Sequence, residues 1–298
     1  MANILSIKRR IQTAQNVSKT TRAMQMIATS KLKRAQNSAV ASRPYVDKLT
    51  FLTRSLANRI DEESLSEYMR TLTKENKKLL LVLSPDKGLC GGLITNLLKE
   101  LIIFDSSYKD AKYIVVGKKT ENVIAKLGKE IIASFDFGTS LPIFESVYPI
   151  AKIIDDQFLG KKISQVNVLY TNFSSVFSQK PQISTLLPIK LPEIINTDEK
   201  KEHKNTQINN SPYTSFEPNP NELLPSLLIH YLEMALFQYL LESYASEQAA
   251  RMISMKNATE NAQDIIEYLK LEYNKERQEK ITNEILDIGG AATAMAYE

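Results

Sequence analysis

The 298-residue sequence has one cysteine, no tryptophan and two histidines, and its first 46 residues contain no aspartate or glutamate. Each shortage excludes something. A lone thiol, Cys90, cannot close an intrachain disulfide, so the reducing cytosol is the expected compartment. With only His203 in a polar stretch and His230 in a helical one, Cys90 has no evident general base. No His/Cys/Asp grouping has metal-ligand spacing. No apolar run approaches the roughly 20 residues that span a bilayer. No apolar leader precedes the periodic pattern that starts at Ile4, so no targeting segment is expected. Glycine is missing before Gly88 and again from Asn221 to Ile288, which leaves two long stretches without the usual helix stop.

What is present fills those two stretches with helix. In the first, one heptad register runs Ile4, Ile11, Ser18, Gln25, Leu32, Ala39, Val46, Thr53, Ile60. Its companion runs Ile7, Ala14, Thr21, Ala28, Ala35, Ser42, Leu49, Leu56. Held for about eight heptads, these a and d positions form a coiled-coil seam, narrower than the stripe of a globular helix. Pro44 predicts a kink and not an end, because the register continues through it. In the second stretch, Ala245, Ala249, Met252, Met255, Ala258, Ala262, Ile265 and Leu269 recur at three and four, and Gly289-Gly290 predicts the stop. Two seamed helices at opposite ends of one chain most simply pair with each other, antiparallel because a folded middle lets the chain return. Their small residues let the backbones approach closely and make a thin, stiff rod. The bland reading, an ordinary helical bundle, rarely needs helices this long.

Between them, strands at Lys78–Leu83, Lys112–Val116, Ile131–Phe137, Gln165–Tyr170 and Gln182–Ile189 alternate with helices at Gly92–Phe104, Lys119–Leu127 and Pro142–Phe158. That alternation predicts a mainly parallel sheet in a small Rossmann-like α/β domain. The expected organisation is a coiled-coil helix over 1–60, a connector over 61–76, the α/β domain over 77–190, a polar linker over 191–221, and a second coiled-coil helix with a shaft tip over 222–298. After the first strand, SPDKGLCGG matches neither G-x-G-x-x-G nor G-x-x-x-x-G-K-[ST]. The residues carry no catalytic or cofactor-binding constellation and point to a mechanical or interaction protein. The nine Lys or Arg before Asp47 imply an acidic partner: nucleic acid, anionic lipid or an acidic protein surface.

Three stretches then carry a resemblance. IKRRIQTAQNVSKTTRAMQMIATSKLKRAQ with ASRPY, SPDKGLCGGLITN, and SEQAARMISMKNATENA followed by ERQEKITNEILDIGGAATAM resemble, in order and separation, the gamma subunit of F-type ATP synthases. Pro85 and Ile94 depart from the family's usual Thr and Asn, at positions to which the family assigns no catalytic role. The resemblance implies a non-catalytic central rotor shaft that couples proton flow to ATP synthesis, without cofactor or metal. It implies one copy per complex, inside a ring of alpha and beta subunits, beside epsilon and on the membrane ring of c subunits. A peripheral position on the cytoplasmic face of a bacterial plasma membrane follows, with no nucleic acid bound. By the same resemblance Lys19, Arg22 and Met24 meet acidic loops of beta, and Arg277, Gln278 and Thr282 meet its catch region. Ile285, Leu286 and Ile288 belong to a tip, extending to Met295, that runs in an apolar bearing. The rival reading is a basic coiled coil on nucleic acid or an anionic membrane. It leaves the α/β domain unexplained, and the first 44 residues contain no aromatic side chain for base stacking.

Overall fold

The computed structural model describes residues 4–57, 60, 66–70, 77–108, 110–190, 217 and 219–296, without the side chains of 43 and 290–296. Most of the two connecting stretches, 61–76 and 191–221, including His203, lies outside the described residues. Helix α1 spans Ile4–Ala57 and continues through Pro44. Helix α5 spans Pro220–Ala296, so the predicted stop at Gly289-Gly290 is wrong. A helical glycine costs about 1 kcal/mol and does not by itself end a helix; the Ala-rich residues beyond it keep helical φ/ψ. By contact the chain divides into two compact units, residues 1–30, 89–91 and 248–298, and residues 31–88 and 92–247.

In the smaller unit, α1 buries Ile7 and Ala28 while α5 buries Ala249, Met255, Ala262, Ile266 and Leu269. The seam of α5 thus runs through Ile266, 3% exposed, and not through Ile265, 51% exposed. Both positions satisfy a three-four pattern from Ala262, and only the partner helix decides between them. The order is antiparallel: Thr21 bonds Thr259, and Arg9 to Val17 share a groove with Ala262 to Leu269.

The larger unit holds the remainder of both helices and the α/β domain. Ser42 bonds Gln238 and Tyr45 bonds His230, again antiparallel. Strands β1 (Lys78–Leu83), β2 (Lys112–Val116), β3 (Ile131–Phe135), β4 (Gln165–Phe173) and β5 (Gln179–Leu187) form one sheet in the order β3-β2-β1-β4-β5. All neighbours are parallel except β4 and β5. That antiparallel hairpin pairs Phe173 with Gln179, which is why both strands reach further toward the turn than their apolar residues alone predict. Helices α2 (Leu93–Ser107), α3 (Lys118–Lys126) and α4 (Tyr148–Phe158) complete the domain. The helix expected from Pro142 starts later, after a 3-10 turn at Phe144–Val147, with Pro149 in its first turn, where no N–H partner is lost.

Strand β1 is buried on both faces, as a central parallel strand must be. Leu79, Leu81 and Leu83 pack with Ile150, Ile154 and Phe158 of α4 and with Leu224, Leu228, Leu232, Leu236 and Leu240 of α5. Leu80 and Val82 pack with Leu97, Leu101 and Phe104 of α2 and Ile124 of α3. Each such leucine contributes roughly 1.5–3 kcal/mol by leaving water. The same row corrects one exclusion: α5 is long and apolar enough, by length and composition, to cross a bilayer. Its apolarity here serves the sheet, because those leucines are the ones buried in the core.

Candidate partner interfaces

The loop that opens α2 is the first candidate. Leu89 and Gly91 both adopt positive φ, +64° and +58°, and residues 89–91 group with the helix pair. A Cβ at Gly91 would sit 2.9 Å from Ser254 Oγ on α5, so glycine here permits a close approach between backbone and helix. Cys90 is buried, 2% exposed. The loop is therefore a bend that also docks, a role no short motif announces. Of the histidines, His230 is engaged with Tyr45 Oη at 2.6 Å. Among the described residues no group of His, Cys, Asp and Glu is placed to hold a metal ion.

The basic stretch of α1 is the second. Lys19 and Arg22 are exposed, as is Met24 at 38%. At about 100° of rotation per residue, Lys19 and Arg22 share one flank and Met24 lies roughly on the opposite flank, across the buried seam. The structure thus does not bring the three together on one face. Arg9 and Arg10 rim a groove of about 380 Å³ floored by Ala14, Ala262 and Leu269, which the charge count alone does not reveal.

The end of α5 is the third. Residues 277–289 are all exposed, since the antiparallel register has by then passed the first described residue of α1. Arg277, Gln278 and Thr282 project from this segment, and the Thr282 hydroxyl donates to Gln278 O at 2.9 Å within the helix. Lys280 and Glu284 pair at 3.7 Å. Between these polar residues Ile281, Ile285, Leu286 and Ile288 are 47%, 63%, 64% and 71% exposed. A helix with large aliphatics facing water needs something to cover them.

The sequence pattern of the ATP synthase family matches residues 3–295. Over 297 residues, 99% of this chain and 100% of the relative, the ATP synthase gamma chain of Dehalococcoides mccartyi strain CBDB1 is 38% identical. The chain belongs to the ATP synthase gamma chain family. Gamma chains of Akkermansia muciniphila, 37% identical over 99% of this chain and 100% of the relative, and Nostoc sp., 34% identical with the same coverage, agree. Membership makes the protein a non-catalytic rotor subunit of a membrane-associated complex. Two solved structures share the fold. The rotor of the Euglena gracilis mitochondrial ATP synthase has a TM-score of 0.62 at 15% identity, covering 93% of this chain and 98% of that one. The central stalk and c-ring of the Tetrahymena thermophila mitochondrial enzyme gives 0.57 at 21%, covering 80% and 99%.

Proposed function

We propose that the helix pair turns inside a ring of alternating alpha and beta subunits while the α/β domain sits beside epsilon and on the c-ring. One copy serves each complex, on the cytoplasmic face of a bacterial plasma membrane. Residues 1–60 and 222–298 are the shaft, 77–190 the foot, and 61–76 and 191–221 the connections. The observation that carries this reading is the end of α5, a single helix whose isoleucines and leucine are exposed and which suits an apolar sleeve. Ile285, Leu286 and Ile288 are its bearing surface, and Arg277, Gln278 and Thr282 contact the catch region of beta just before it. Lys19 and Arg22 face acidic loops of beta. Met24, on the other flank, meets a different part of the ring.

Co-purification with alpha and beta, and the ratio of protons pumped to ATP hydrolysed in membrane vesicles, test this. Single charge removals such as Lys19→Ala change little, because an exposed pair is worth about 0–1 kcal/mol and is screened by salt. Lys19→Glu with Arg22→Glu weakens assembly at low salt, and Met24→Lys lowers the pumping ratio by adding a cation at a moving contact. Salt-independent assembly of the first would make the Lys19–Arg22 face merely a solvated one, and an unchanged ratio for the second would remove Met24 from the moving contact.

A further inference from the structure

In the larger unit, three loops meet at the carboxyl ends of β1, β2 and β3. Asp86, just after β1, accepts a hydrogen bond from the Lys118 backbone N–H at the start of α3, 3.2 Å. Asp136, just after β3, is ion-paired with Lys118 Nζ at 2.6 Å and accepts from the Gly138 N–H at 2.9 Å. Lys118 thus brings both carboxyl groups to one residue, where a proton on one carboxyl lets it donate to the other, and two bare carboxylates repel. One residue beyond Gly138, the Thr139 carbonyl accepts from Lys31 Nζ of α1 at 2.6 Å and from Tyr244 Oη of α5 at 3.2 Å. The loop leaving β3 is thus anchored to both long helices at one end and to the acid pair at the other.

Every neighbouring element contributes to the electrostatics. From α3 comes Lys118, with Glu121 behind it. From α5 comes the buried Glu247, which lines the same small cavity of about 40 Å³ as Asp86, Gly138 and Tyr244. From α1 comes Lys31, by its bond to Thr139. Burial, with the bond to Asp136 next, pushes the Asp86 carboxyl up to about 6, and Glu247 adds to the rise. The Lys118 ammonium holds Asp136 low, at about 2. The proton therefore resides on Asp86.

We propose that the Asp86–Asp136 pair is a proton-dependent clasp: with its shared proton it holds the loop after β3 against both long helices, and without it the carboxylates repel and the loop loosens. Asp86 favours its neutral form in the folded chain, so the clasp is closed below about pH 6 and opens as pH rises through that value. Its consequence for the motor, a stiffer attachment of shaft to foot as the compartment acidifies, rests on the rotor reading; the clasp itself does not.

The test is hydrogen–deuterium exchange of peptides covering 136–143 in the assembled alpha-beta-gamma complex from pH 5 to 8, corrected for intrinsic exchange. Wild-type protection is expected to fall about tenfold across pH 6. Asp86→Asn keeps it high throughout, because an amide donates to Asp136 without titrating, and Asp136→Asn does the same from the other side. Lys31→Met lowers it at every pH. A flat wild-type profile overturns the clasp, as do both asparagine variants following the wild-type slope; if one variant fails to assemble, the other decides. A pH-dependent loop in a complex whose pumping ratio ignores pH removes the consequence for the motor and leaves the clasp standing.

Discussion

Thr21 and Thr259 face each other across the helix pair with their hydroxyl oxygens 2.7 Å apart. One hydroxyl donates to the other, and the accepting one donates to its own backbone carbonyl, Thr259 to Met255 O at 2.8 Å or Thr21 to Ser18 O at 3.1 Å. Each hydroxyl therefore keeps a backbone partner when the other is removed. Thr21→Val and Thr259→Val should each cost about 1 kcal/mol, and the double mutant little more than either single one. Urea unfolding of the four proteins in a double-mutant cycle measures this; strictly additive losses would show that the contact carries no energy of its own.

Bulk is not tolerated where the backbones touch. Ala28 and Ala249 are 1% and 0% exposed, so Ala28→Trp or Ala249→Trp forces the helices apart at a cost of roughly 1–3 kcal/mol or more. The expected result is a lower yield of intact alpha-beta-gamma complex. Normal yield and turnover in both variants would place the close approach elsewhere.

Gly117 opens α3 with a φ of +100°, and an added Cβ would lie 2.1 Å from Ser84 O. The Ser84 backbone cannot move away freely, because its N–H donates to Val116 O at 2.9 Å and its hydroxyl bonds Thr120. Strained backbone and a clash with a fixed carbonyl together make Gly117→Ala cost about 3 kcal/mol. Gly128 also has a positive φ, +69°, but open space around it, so Gly128→Ala should cost only about 1 kcal/mol. Equal losses in chemical denaturation would refute the steric argument.

Asp155 of α4 is a buried acid with its own pH signature. Burial pushes its carboxyl up to about 6, and Glu233 and Asp156 push the same way, against the hydrogen bond from Tyr68. Its Oδ1 has no hydrogen-bond partner among the described residues. Since the folded state favours the neutral acid, Asp155 contributes stability at low pH and loses it as pH rises from about 4 through 6. The expected swing is about 1 kcal/mol once solvent screening is allowed for. Asp155→Asn should flatten that part of the stability–pH curve, and an unchanged curve would assign the dependence to another group.

Much of the architecture is written locally. The heptad residues from Ile4 to Ile60 are buried or half-buried throughout, because a 3.5-residue repeat has one seam and a helix can turn only that seam inward. Alternating strands and helices predicted the parallel part of the sheet, β1 to β4, since each parallel connection needs a crossover, whereas the β4–β5 pair is an antiparallel hairpin. The resemblance implied a tip at Ile285, Leu286 and Ile288, and their exposure is read from the structure.

Other features needed the third dimension. Ile265 and Ile266 fit the spacing equally well, and the position of α1 selects Ile266. Gly289-Gly290 carries a stop signal that a continuing helix overrides, because the local cost is only about 1 kcal/mol per glycine. Met24 stands five residues from Lys19 in sequence, yet the turn of the helix sets them on different flanks. Asp86 and Asp136 are 50 positions apart; only the parallel register of β1, β2 and β3 brings their loops to one edge, where Lys118 bonds both, through its backbone N–H to the half-buried Asp86 and through its ammonium to the exposed Asp136.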